Sequence, residues 1–153
     1  MPIRTSQSRG RLRNIQANPS RFLICACLLG ASAFSTFQVR LSPGPRLVGT
    51  RASNSGSGTV TATLKDSELT LRGSFEGLLA VPTRANLRMG SLPGVRGPVV
   101  TSLTISPATS GALSGSVELN PNQLTAFHKG GLYIEIDSEQ APEGDLWGWI
   151  IPQ

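Results

Sequence analysis

The sequence predicts an all-β domain: an antiparallel β-sandwich or Greek-key-like barrel with one short helix, preceded by an N-terminal signal segment. Three observations predict it. Short runs alternate apolar and polar residues at period two, clusters of Gly, Pro, Asn and Ser separate those runs, and only one stretch carries the start and stop signals of a helix.

The clearest runs lie between Gly130 and Ile151. Leu132, Ile134 and Ile136 recur at period two, as do Leu146, Gly148 and Ile150, so each run can set an apolar row on one face of a sheet. Between them Asp137, Glu139, Glu143 and Asp145 surround the turn formers Pro142 and Gly144, which makes the pair a β-hairpin. Upstream, Phe37, Val39 and Leu41 form a first strand stopped by Pro43-Gly44-Pro45, and Arg46 to Gly58 reads as a surface loop. Thr59 to Leu64 and Leu69 to Phe75 are two strands around a tight turn at Lys65 to Glu68.

Arg84 to Met89 separates cleanly into Ala85, Leu87 and Met89 on one face and Arg84, Asn86 and Arg88 on the other. The loop GSLPGVRGP follows, then strands around Val99 to Ile105 and Leu113 to Leu119. The helix signal is compact. Asn120 can cap, Pro121 suits the first helical position, Gln123 sits three residues after the cap, and Lys129-Gly130 closes the end, so the helix runs about Pro121 to Lys129.

The formal charge of +5 belongs to the leader. Five of the 14 basic residues (Arg4, Arg9, Arg11, Arg13, Arg21) precede the apolar run, which leaves nine against the nine acidic residues of the rest. A nearly neutral domain has no basic patch to neutralise phosphates, so nucleic acid is not an expected partner. Residues 1–33 have the parts of an export signal: a basic n-region over 1–21, an apolar h-region over 22–33, and the small-x-small site Ala31-Ser32-Ala33. The apolar stretch Phe22 to Phe34 is shorter than the roughly 20 residues that span a bilayer core. Cleavage near Ala33 is therefore expected, releasing a 34–153 domain into an extracytoplasmic compartment, secreted or periplasmic. An uncleaved anchor, which would be the chain's one route to a membrane, a buried helix, and a lipoprotein at Cys27 are the alternatives. Both cysteines, Cys25 and Cys27, lie in the leader. Thiol catalysis, thiolate zinc sites and iron–sulfur clusters are thereby excluded from the exported domain.

Three segments, in order, resemble the CHRD (chordin-type) domain: RANLRMGSLPGVRGPVVTSL from Arg84, LSGSVELNPNQL from Leu113, and GGLYIEIDSEQAPEGDLWGWI from Gly130. The likeness covers about Phe37 to Pro152. It implies an exported antiparallel β-sandwich module; in chordin itself such domains belong to a secreted growth-factor-binding protein. The chain also departs from the family's pattern. Asn86-Leu87-Arg88 stands where the family commonly has His-x-His, and Asp137 where it has a third histidine. Imidazoles on one strand face can ligate a transition metal, whereas an arginine cannot deprotonate to do so. The substitutions suggest a cross-strand ion pair between Arg88 and Asp137, with Asn86 completing its hydrogen bonds; two unrelated solvated side chains are the alternative.

Other candidates are weaker. His128, the sole histidine, reads as a surface residue favoured by the helix dipole. The acidic turn could offer oxygens to calcium, but without EF-hand spacing it reads as a solvated loop. Trp147 and Trp149 point away from the core if Leu146, Gly148 and Ile150 face it, and two indoles on one outer face can stack on a sugar or anchor a protein. Coverage by a loop or by the leader-proximal segment is the alternative. The expected function is that of a non-enzymatic binding or structural module with no catalytic residue, metal or cofactor, and with a protein or glycan partner at Trp147 and Trp149. The competing reading is a metal-dependent redox enzyme on a dismutase-like sandwich.

Overall fold

Lys65 and Glu68 face each other across a hairpin whose loop is only Asp66 and Ser67, with Asp66 at a positive φ of 55°. A two-residue loop of this kind matches the twist of the strands it joins and fixes their register, here from Ser57↔Glu76 to Lys65↔Glu68. The computed structural model describes residues 34–44, 55–91 and 94–152. The leader, with its two cysteines and cleavage site, lies outside them, as does Arg46 to Asn54 of the predicted surface loop.

Among the described residues, eight strands and one helix follow in order: β1 (Phe34–Pro43), β2 (Ser57–Lys65), β3 (Glu68–Glu76), β4 (Pro82–Met89), β5 (Val99–Ile105), β6 (Gly111–Glu118), α1 (Pro121–His128), β7 (Leu132–Ser138) and β8 (Leu146–Ile150). The strands close into a barrel in the order β1-β2-β3-β6-β5-β4-β7-β8, antiparallel throughout. The run β3-β6-β5-β4 places the hairpin-connected strands β4, β5 and β6 so that the last returns beside β3, which is a Greek key. The all-β, Greek-key-like barrel predicted above is the fold observed.

Two strands turn the corners between the sheets. Residues Phe34 to Leu41 of β1 pair with β2, while Ser42 and Pro43 pair with β8; likewise the first part of β5 pairs with β4, and Thr104 and Ile105 pair with β6. The alternating rows read from the sequence meet between the two sheets. Leu41, Val60, Leu71, Leu87, Ile134 and Ile150 are all fully or almost fully buried there. Burial of each such side chain contributes about 1.5–3 kcal/mol.

Helix α1 carries the chain over the crossover from β6 to β7. Asn120 and Gln123 form a reciprocal capping box, with Asn120 Oδ1 accepting from the Gln123 amide at 2.9 Å and Gln123 Oε1 from the Asn120 amide at 3.0 Å. Phe127 anchors the helix, fully buried with its ring 5.5 Å from that of Phe37. At the other end Gly130 adopts φ 69°, and the amides of Gly130 and Gly131 donate back to Phe127 and Ala126. This is a Schellman turn, and it leaves Lys129 projecting at the helix end.

Candidate binding site

Strand β7 alternates two kinds of residue. Leu132, Ile134 and Ile136 enter the core, so Tyr133, Glu135 and Asp137 must point to the outer face. Opposite them the β4 register places Arg88 against Tyr133, Asn86 against Glu135 and Arg84 against Asp137, while β8 places Trp149 against Tyr133 and Trp147 against Glu135. Yet Glu135, Asp137 and Tyr133 are all 0 % exposed. An outer face with no exposure must be covered, and the covering is supplied by loops.

The principal cover is the part of the β4–β5 loop over residues 94–98. Arg96 reaches from it across both acids, with its Nε donating to Glu135 Oε1 at 2.6 Å and its Nη2 to Asp137 Oδ1. Arg88 pairs with the remaining Glu135 oxygen, and Arg84 Nε lies 3.3 Å from Asp137 Oδ2. The Arg96 guanidinium is held above its ordinary pKa: burial, the largest influence, works against the charge, but hydrogen bonding to Glu135 and the fields of Asp137 and Glu135 outweigh it. The loop is gripped a second time at Gly97. Its amide donates to Tyr133 Oη at 2.8 Å and its carbonyl accepts from Arg88 Nη1 at 2.8 Å. A side chain at Gly97 would collide with the Met89 carbonyl, so only glycine allows this approach.

The aromatic side chains form a stack beside the charges. Tyr133 lies between Trp147, at 4.9 Å and nearly parallel, and Trp149, at 4.7 Å and tilted by 36°. The acidic turn closes over the Trp147 side: Gly144 adopts φ 108° directly against the indole. Asp145 organises this turn. It accepts from the Ser55 amide at 3.0 Å and from Ser138 Oγ at 2.7 Å, and its own amide donates to Ile136.

Several expectations change accordingly. Arg88 does not pair with Asp137; the β4–β7 register sets it beside Tyr133 and within reach of Glu135, while Asp137 is met by Arg84 and Arg96. Asn86 does not complete that pair, and its Oδ1 accepts instead from Ser102 Oγ of β5 at 3.2 Å. Of the four acids of the turn only Glu139 and Glu143 are exposed, because Asp137 and Asp145 are buried. Trp147 is packed under the turn, 6 % exposed, so of the two tryptophans only Trp149 keeps part of its ring at the surface. His128 is exposed on the last turn of α1.

Glu135, Tyr133 and Arg96 were not singled out from the sequence. The period-two row Tyr133-Glu135-Asp137 was legible, and two carboxylates on one strand face opposite a row of Arg84 and Arg88 signal an ion network. Nothing local marks Arg96, whose role depends on how its loop folds back.

Trp149 lines one open hollow on this face, a cleft of about 560 Å³ between the β4–β5 loop and the Schellman turn. Met89, Val95, Pro98 and Ala126 supply apolar lining, and Ser91, Gly90, Gly130, Gly131 and Lys129 stand among the other lining residues. A larger hollow of about 750 Å³ lies over β1, β2 and β3, away from the aromatic stack.

Comparison with curated proteins and with solved structures returns no match. The CHRD domain family model matches residues 37–150, which takes in β1 from Phe37, the whole of β2 to β8, the helix and the charged and aromatic face. The chain therefore belongs to the CHRD domain family.

Proposed function

We propose that this protein is an exported, non-enzymatic binding module that receives its partner in the cleft beside Trp149. The observation that carries the reading is the contrast between the two halves of one sheet face. On one half the charged groups are engaged with one another; on the other, a half-buried indole backed by Tyr133 opens into a cavity of small-molecule size.

The ion network does not suit a catalytic centre. Glu135 and Asp137 are gripped by three arginines, and each positive charge opposes the approach of a cation. At the positions where the family commonly carries histidine, Asn86 bonds Ser102 and Arg88 holds Glu135 and Gly97. These residues therefore do not fit a transition metal. Export rests on the arginine-rich, apolar leader and its Ala31-Ser32-Ala33 triplet.

The test is retention of a component from the extracytoplasmic fraction of the source cells on immobilised protein. Wild type is expected to retain it, whereas Trp149→Ser and Val95→Glu lose it with the circular dichroism unchanged. Val95 is exposed, so its substitution leaves the core intact. Retention that survives both substitutions overturns the reading, as does metal-dependent turnover by the purified protein.

A further inference from the structure

The cleft has a chemical character that narrows its occupant. Its walls are mostly apolar, with Ser91 the one hydroxyl among the described residues that line it, and among those same residues there is no carboxylate and one ionisable side chain, Lys129. Among the described residues, no carboxylate lies within ion-pair distance of the Lys129 ammonium. That isolation is notable beside a sheet face where the arginines are paired with acids. The Schellman turn fixes the backbone from which the exposed Lys129 side chain projects beside the cleft.

The cleft also has an aromatic surface. Trp149 contributes its ring, and Gly90 sits so close to Tyr133 and Trp149 that a side chain there would press on the stack. Gly90, Gly130 and Gly131 line the cleft together with Val95 and Pro98 of the loop.

We propose that this cleft binds a small amphipathic carboxylate, its planar or aliphatic body between Trp149 and the loop residues Val95 and Pro98 and its carboxylate at Lys129. The assignment rests on the reading that the cleft is the binding site, and adds the ligand's class. Apolar burial supplies most of the affinity, and Lys129 supplies the discrimination of charge. A volume of 560 Å³ falls within the range of about 300–1,000 Å³ typical of small-molecule sites.

Titration with 2-naphthoate, followed by backbone amide shifts and tryptophan fluorescence, tests it against the neutral 2-naphthamide and the cationic 2-naphthylmethylamine. Naphthoate is expected to bind saturably at one site, with shifts confined to residues 89–98 and 126–131 and to Trp149. It should bind about fivefold more tightly than the amide, as an exposed ion pair allows, and the amine should bind least. Lys129→Gln should remove the preference while leaving amide binding unchanged, and added salt should weaken it. Equal binding of the amine, an unaltered preference in Lys129→Gln, or shifts centred elsewhere overturn the assignment. If retention of the native component still depends on Trp149 while the probes show no charge preference, only the ligand class fails. Loss of both dependences sinks the binding reading as well.

Discussion

Arg96 and Glu135 stand 39 residues apart in the chain, and the Nε of one donates to the Oε1 of the other at 2.6 Å. This contact joins a glycine- and proline-rich loop to the central strand of a sheet. With the Arg96–Asp137 contact beside it, one side chain holds the wall of the Trp149 cleft against the two buried acids of β7.

Arg96→Gln should therefore destabilise the fold and open the loop together. A buried ion pair adds little net stability over an apolar substitute, but removing one partner leaves the other's charge uncompensated at a cost of about 3–5 kcal/mol. Arg88 and Arg84 remain beside the acids, so the expected loss is about 3 kcal/mol, read from urea unfolding. Amide exchange at residues 95–97 should accelerate in the same variant. A loss below about 1 kcal/mol would show that the pairing is no more than a surface contact.

Tyr133 is the sole tyrosine, so its ionisation can be followed optically without ambiguity. Its pKa is raised above the ordinary 10.0: burial is the largest cause and Glu135 adds to it, while the Gly97 amide, Arg88 and Arg96 pull the other way. As pH climbs, the unfolded chain ionises first at 10.0 and the folded phenol keeps its proton to higher pH. The stability contributed by this group is thus full below 10.0 and falls as pH rises through the folded pKa. Tyrosinate absorbance should appear only above the ordinary value in folded protein. Ionisation at or below it, with the circular dichroism still native, would contradict the buried phenol.

Asp145→Ala should release the chain that leads into β2. The carboxylate holds the Ser55 amide and Ser138 Oγ inside the turn, and hydrogen bonds to a charged group contribute about 1.5–3 kcal/mol. The expected signature is a loss of that order with faster exchange of the Ser55 amide. Unchanged protection at Ser55 would mean that another contact orders this segment.

The fold was legible because its periods are clean. Rows such as Leu132, Ile134 and Ile136 can bury themselves only on one face of a strand, and Asn120, Pro121, Gln123 and Gly130 bracket a helix by local chemistry alone. The site was half legible. The outward direction of Trp147 and Trp149 follows from the alternation in β8, but the burial of Trp147 follows from the acidic turn folding back over it. The choice of Glu135 over Asp137 as the partner of Arg88 depends on the β4–β7 register and on the irregularity between Leu87 and Arg88 in the β4–β5 pairing. Register is a property of two strands at once, and neither segment read alone contains it.

Gly144 and Gly77 offer a controlled comparison of conformational strain with packing. Both have positive φ, 108° and 73°, but a Cβ at Gly77 would meet nothing nearer than Gly56 at 3.4 Å, whereas at Gly144 it would lie 1.9 Å from Trp147 Nε1. Gly77→Ala should therefore cost only the backbone term, about 1–2 kcal/mol. Gly144→Ala adds the displacement of a buried indole and should cost about 3 kcal/mol or more. The chain's two tryptophans both belong to this stack, so intrinsic fluorescence reports on it directly. Emission should shift in Gly144→Ala and remain native in Gly77→Ala; equal stability losses with unchanged emission in both would show that the turn does not press on Trp147.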